Sequence, residues 1–70
     1  MASVFIEARP KGGGPIKDFV VEDHADHVLH TCSTQEAAIE WAKKAGHHAH
    51  VARVRRLDND KKKPDHWRAI

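Results

Sequence analysis

The chain has 70 residues, of which 40% are apolar and 31% charged, and its formal net charge is +2. This size and composition predict one small globular domain, residues 1–70, with no room for a separate catalytic domain. The single cysteine excludes an intrachain disulfide, and the lack of a secretory leader or of a bilayer-length apolar run predicts a cytoplasmic protein without membrane attachment.

The first half of the chain has the pattern of three short strands. SVFIEAR, Ser3–Arg9, is rich in β-branched and aromatic residues, and its alternate apolar side chains would share one face. Two prolines around three glycines in residues 10–15 predict a hairpin loop. Residues 16–23 predict the second strand, and turn formers lead into a third at residues 27–32. We therefore expect an antiparallel meander.

The segment STQEAAIEWAKKAG, residues 33–46, is typical of a capped amphipathic helix. Ser33 as the N-cap and Glu36 three residues later form a capping box. Gly46 ends the helix because glycine adopts the left-handed conformation readily. The apolar residues between them recur at 3.6 per turn, which predicts one buried side. Cys32, just before the N-cap, is expected to pack against the first turn.

The rest of the chain predicts one or two further strands. HAHVARVRRL, residues 48–57, favours a fourth strand with a bulge, and DNDKKKP breaks it. DHWRAI, residues 65–70, either pairs back as a short final strand or frays. The order β-β-β-α-β, with or without that last strand, predicts an α+β fold in which one helix packs across an antiparallel β-sheet.

The order of strand, glycine-rich turn, strand and CSTQEAAIEWAKKAG resembles the short bacterial and phage proteins grouped as DUF2188. The helices of that family open with a threonine followed by the pattern eAi..A, which is matched here by Thr34, Ala38, Ile39 and Ala42, with glycines at 12–14. The resemblance implies a small α+β fold and carries no catalytic residue across, since the family has no established activity. The helix is also similar to that of the arm-binding domains of phage integrases, which place a three-stranded sheet on DNA.

The segment DHADHVLHTC, residues 23–32, has the composition of a metal site. On a strand, however, only His30 and Cys32 share a face, and zinc needs three or four protein ligands. The pair His48 and His50 would complete a set only if the third and fourth strands were neighbours. No CxxC or HExxH motif supports such a site. We therefore expect no metal and no cofactor, and zinc binding is a minor alternative.

Catalysis finds little support in the sequence. Cys32 leads into a helix whose first turn would cover its thiol, and Asp23 and Asp26 have the positions of turn formers. The glycine-rich loop lacks the GxxxxGK[ST] pattern of a phosphate cradle. We expect this protein not to be an enzyme.

The distribution of charge is the strongest functional signal. Residues 1–40 hold three basic and seven acidic side chains, whereas residues 41–70 hold nine basic and three acidic ones. A basic half of this kind predicts a small binding module that neutralises the phosphates of DNA or RNA, with a tryptophan that stacks on an unpaired base. The predicted site consists of Arg53, Arg55, Arg56, Lys61, Lys62, Lys63, Trp67 and Arg68.

A protein-interaction or assembly module is the alternative. A small sheet with one helix leaves a face or an edge uncovered, and a second copy would bury that face if Trp67 and residues 51–54 lay on it. The basic residues would then be a solvated lysine turn and arginines paired with Glu7, Glu22 and Asp23. Phosphate binding weakens steeply with salt and apolar pairing does not, so salt dependence separates the two functions.

Overall fold

The computed structural model describes residues 3–55 and 59–70, which form a five-stranded sheet with one helix across it. The elements in chain order are β1 (Ser3–Arg9), β2 (Asp18–Glu22), β3 (Val28–Cys32), α1 (Gln35–Lys44), β4 (His48–Ala52), a 3-10 turn (Pro64–His66) and β5 (Trp67–Ala69). The α+β class is confirmed, and the last segment does form a strand. In the described ranges, no helix is long and apolar enough to cross a membrane.

The sheet is mixed, so the prediction of a purely antiparallel sheet is wrong. Its strand order is β3-β2-β1-β4-β5, and the other neighbours are antiparallel, but β1 and β4 are parallel. Val4 lies opposite Ala49, and Ile6 lies opposite Val51. The cause is the helix between β3 and β4, which carries the chain back so that β4 enters in the direction of β3 and β1.

The face of the sheet under α1 holds the apolar core. Val4 and Ile6 of β1 and Val21 of β2 pack with Ala38 and Ala42 of α1, and all five are 0% exposed. The alanines have no side chain beyond Cβ, which lets the helix approach the strands closely. The predicted alternation of β1 and the predicted inner side of the helix are both confirmed.

The helix begins one residue later than the capping pattern predicts. The N-cap is Thr34, whose hydroxyl accepts a hydrogen bond from the backbone N–H of Ala37 at 3.1 Å, and Ser33 lies outside the helix. Thr34 has the extended backbone, φ −134° and ψ 156°, that a cap requires. Gly46 follows the helix with φ +79°, as predicted. Glu36 stays in the first turn, where the helix dipole favours a negative charge.

The second face of the sheet is covered by loops. The chain leaves the sheet at Ala52, although the sequence predicts a strand as far as residue 57. Asn59 then donates a hydrogen bond to the carboxylate of Glu7 on β1, at 3.3 Å. The described part of the β4–β5 connection at Asn59 and Lys61 therefore lies against the face opposite α1.

Candidate anion-binding site at the arginine end of the sheet

The structure divides the predicted basic site between the two faces of the sheet. Strand β5 is the reason: Trp67 lies opposite Ala52 and faces the loops, while Arg68 lies opposite Val51 and faces the helix side. Arg56 lies outside the described residues. Trp67 and Arg68 of the predicted site therefore lie on opposite faces of the sheet.

A buried ionic cluster occupies the second face, and we define it as Glu7, Glu22, Lys11 and Lys61. Each glutamate is only 5% exposed. Lys11 Nζ lies 3.0 Å from Glu22 Oε1 and 3.4 Å from Glu7 Oε1. Lys61 Nζ lies 3.2 Å from Glu22 Oε1 and also pairs with Asp26. Two cations thus compensate two carboxylates that have lost most of their water.

Lys61 differs from the lysines beside it because its charge is used inside the protein. Its side chain is 9% exposed. Burial lowers the pKa of Lys61, but hydrogen bonds to Asp26 and Glu22 outweigh burial and raise the pKa above its ordinary value. The hydrogen bond between Lys61 and Asp26 also lowers the pKa of Asp26. Lys61 is charged but has little surface to offer a phosphate.

Trp67 is an internal residue of the second face. It is 4% exposed, and its ring meets that of Phe5 at 4.9 Å in an edge-to-face contact. Its indole N–H donates to the backbone carbonyl of Asp60 at 2.9 Å. His24 and His50 contact the same phenylalanine ring, at 4.7 and 5.2 Å. Trp67 therefore presents little indole surface to an unpaired base or to a second copy of the chain.

Two predicted cations do come together, in what we call the arginine groove, formed by Gln35, Arg53 and Arg68 beside the first turn of α1. Arg53 follows β4, and its Nε donates to the backbone carbonyl of Trp67 at 3.0 Å. Both arginines are exposed, and neither makes an ion pair with any residue in 3–55 or 59–70. Unpaired guanidinium groups beside the N–H groups of a helix start favour an anion.

The remaining predicted cations have two different surroundings. Lys62 and Lys63 are exposed in a turn in which the carboxylate of Asp60 accepts from the backbone N–H of Lys62 at 2.9 Å. Neither lysine is ion-paired within the described part of the chain. Arg55 is half-buried and lines a second cavity that adjoins the arginine groove.

The acidic residues of the first half find other partners than the arginines of the second half. Glu7 and Glu22 pair with lysines in the buried ionic cluster, and Asp23 contacts His27 Nδ1 at 3.0 Å. Asp18 pairs through both carboxylate oxygens with Arg9, each at 2.8 Å. The hydrogen bond from Arg9 lowers the pKa of Asp18. The predicted pairing of the C-terminal arginines with Glu7, Glu22 and Asp23 is absent among these contacts.

The histidine-rich segment is split by the strand order. His30 and Cys32 do share a face, and His30 stacks on Trp41 of the helix with the ring centroids 4.7 Å apart. His48 and His50 lie on β4, which β2 and β1 separate from β3. Within residues 3–55 and 59–70, no three His, Cys, Asp or Glu side chains are grouped to hold a metal ion. The condition for a Cys-His₃ site, that β3 and β4 be neighbours, is not met.

The buried ionic cluster was not predicted from the sequence, although the positions of its two glutamates in their strands indicate it. Glu7 follows the buried Ile6 on β1 and therefore points to the other face, and Glu22 holds the equivalent position after Val21 on β2. Two carboxylates on the same face of adjacent inner strands need cations near them. The sequence does not show which lysines supply those cations.

Comparison with known proteins adds no function. No family model, no curated protein and no solved structure matches the chain. The resemblance to DUF2188 stays a prediction.

Proposed function

We propose that this chain is a small, non-catalytic, cytoplasmic binding module that contacts the phosphates of DNA or RNA through the exposed cations around β5. The observation that carries the proposal is the arginine groove, where Arg53 and Arg68 lie together beside the start of α1 without an ion pair to a described residue. Lys62 and Lys63 add two exposed charges from the turn before β5. The contact surface is therefore smaller than the one predicted from sequence.

The chemistry of these side chains favours backbone contact over base reading. Guanidinium groups match phosphate oxygens in a bidentate manner, and phosphate contacts carry no sequence information. Trp67 is buried and Lys61 pairs with Glu22 in the ionic cluster. Both the stacking of bases on the indole and the number of cations available to phosphates are therefore reduced. We expect weak binding that is tolerant of sequence and similar for single strands and duplex.

The experiment is a titration of fluorescent single-stranded and duplex DNA between about 50 and 200 mM salt, where counterion release makes affinity fall steeply. Arg68→Met and the double variant Lys62→Met, Lys63→Met should weaken binding, and each lost phosphate contact should lower the slope of log affinity against log salt by about 1. The matched control is Lys43→Met with Lys44→Met, which removes two exposed charges from the last turn of α1. Equal weakening by the control, or no binding at low salt, would overturn the proposal.

Self-association is a second candidate, favoured by one observation at the other edge of the sheet. Val28 and Leu29 on the edge strand β3 are 51% and 41% exposed, and that strand carries no Asp, Glu, Lys or Arg. An unprotected edge can pair with a second copy. A register shift leaves Leu29 without a partner between the pairs of Val28 and His30, and such a bulge opposes edge pairing. A salt-insensitive dimer in sedimentation that Leu29→Lys dissociates would favour this candidate.

A further inference from the structure

A cavity of about 280 Å³ lies next to the arginine groove, at the end of the sheet where the parallel strands β1 and β4 finish. Its walls are largely apolar and come from β1, β2 and β4, including Ile6, Ala8 and Phe19. Gln35, Val51 and Ala52 line both the cavity and the groove. The cavity therefore combines apolar walls with the first turn of a helix.

Arg55 supplies a cation to this cavity, and no carboxylate of the described residues pairs with it. Its Nη1 atom is buried and makes no hydrogen bond to the described residues. A buried donor without a partner costs free energy, and a guanidinium donor costs more than a neutral one. Among the described lining residues the one carboxylate is Glu7, which already receives Lys11 at 3.4 Å and Asn59 at 3.3 Å. Within residues 3–55 and 59–70, no carboxylate therefore compensates the charge of Arg55.

We propose that this cavity binds a small molecule with an apolar body and a single carboxylate, which pairs with the guanidinium group of Arg55. The apolar walls favour the body of such a ligand, and the volume lies near the lower limit of about 300 Å³ for small-molecule sites. A doubly charged phosphate fits less well, because its second charge would be buried against apolar walls beside Glu7. This ligand is distinct from the nucleic acid proposed above, whose phosphates meet exposed side chains.

The probe is sodium octanoate, added to the full ¹⁵N-labelled chain and followed by the shifts of its backbone amide signals. Octanol serves as the matched ligand without charge, and inorganic phosphate as the anion without an apolar body. Octanoate should give saturating shifts at Ile6, Ala8 and Phe19, which line the cavity and not the groove. Octanol should bind about tenfold more weakly because it cannot form the charge-assisted hydrogen bond. Octanol binding as tightly as octanoate, or no saturable shift with octanoate, would overturn the inference.

Two variants separate this site from the arginine groove. Arg55→Met should weaken octanoate binding about tenfold or more and leave DNA binding unchanged, whereas Arg68→Met should do the reverse. Ala8→Leu narrows the cavity while keeping Arg55, so it tests the site even if Arg55→Met does not fold. If Arg55→Met or Ala8→Leu folds and binds octanoate as tightly as the wild type, the proposal is contradicted. Failure to bind DNA, with octanoate binding intact, contradicts only the function proposed for the arginine groove.

Discussion

The two faces of the sheet are closed by different kinds of contact, although the same strands supply both. Toward α1, alternate residues of β1 and β2 such as Ile6 and Val21 are apolar and fully buried. Toward the loops, the intervening positions hold the buried Phe5 and Val20 together with Glu7 and Glu22. The two glutamates meet lysines from two separate loops. A strand exposes successive side chains to opposite faces, so a shift of one residue changes the chemistry completely.

The ionic contacts of the second face fix the positions of loops in a way that apolar burial does not. Apolar burial is non-directional and scales with the area removed from water, so it stabilises both faces without fixing where the loops lie. An ion pair that has lost its water gains little net free energy, but it is strongly unfavourable when one partner is missing. The ionic cluster therefore determines where the loops lie: Lys11 fixes the β1–β2 loop, and Lys61 fixes the β4–β5 connection.

The largest effect is expected on the helix face. Ile6→Ala removes a side chain that is 0% exposed, and it should lower the free energy of unfolding by about 2 to 5 kcal/mol. Chemical denaturation measures this value. Ile6→Val is the graded control and should cost about 0.5 to 1.5 kcal/mol. Free energies of unfolding equal to the wild type in both variants would contradict the burial of Ile6 in the apolar core.

A smaller effect is expected on the second face. Lys61→Met leaves Glu22 with Lys11 as its remaining cation and should cost about 1 to 3 kcal/mol. Lys62→Met removes the same charge from an exposed neighbour and should leave the free energy of unfolding unchanged within about 0.5 kcal/mol. Equal values for the two lysine variants would mean that the ionic cluster does not hold the β4–β5 connection.

The smallest effect tests how the helix is anchored over the apolar face. Thr34→Ala removes the side-chain oxygen that caps α1 and should cost about 1 kcal/mol. Ser33→Ala changes the neighbouring hydroxyl, which is exposed and outside the helix, and should have almost no effect on the melting temperature. If Ser33→Ala destabilised the protein more than Thr34→Ala, Ser33 would be the N-cap, as the capping box predicts.

Local sequence patterns predict where the strands and the helix lie better than they predict which strands pair with each other. Alternation identifies β1, and Gly46 marks the end of the helix because its positive φ is a local requirement. The choice between Ser33 and Thr34 depends on backbone angles that two adjacent hydroxyl residues do not reveal. The parallel pairing of β1 with β4 is a long-range result of the crossover, which strand alternation does not encode.

The candidate site shows the same division at the level of single side chains. Lys61 and Lys62 are identical and adjacent, yet only Lys61 meets Glu22, because only its position in the turn faces the sheet. Arg53 and Arg68 are distant in sequence and share a groove because β5 pairs with β4. The sequence predicts that cations are abundant in this half of the chain, and the strand pairing decides which of them face solvent.

The parallel pairing of β1 with β4 also has a consequence for the order of synthesis. Ser3 lies opposite His48 and Ile6 opposite Val51, so one side of the central strand has no partner until the chain beyond the helix has been made. Contacts between residues so far apart in sequence form late, and an open strand edge is prone to pair with other chains in the meantime. Of the five strands of this sheet, β1 is made first and is thus the one that waits longest for a partner on both sides.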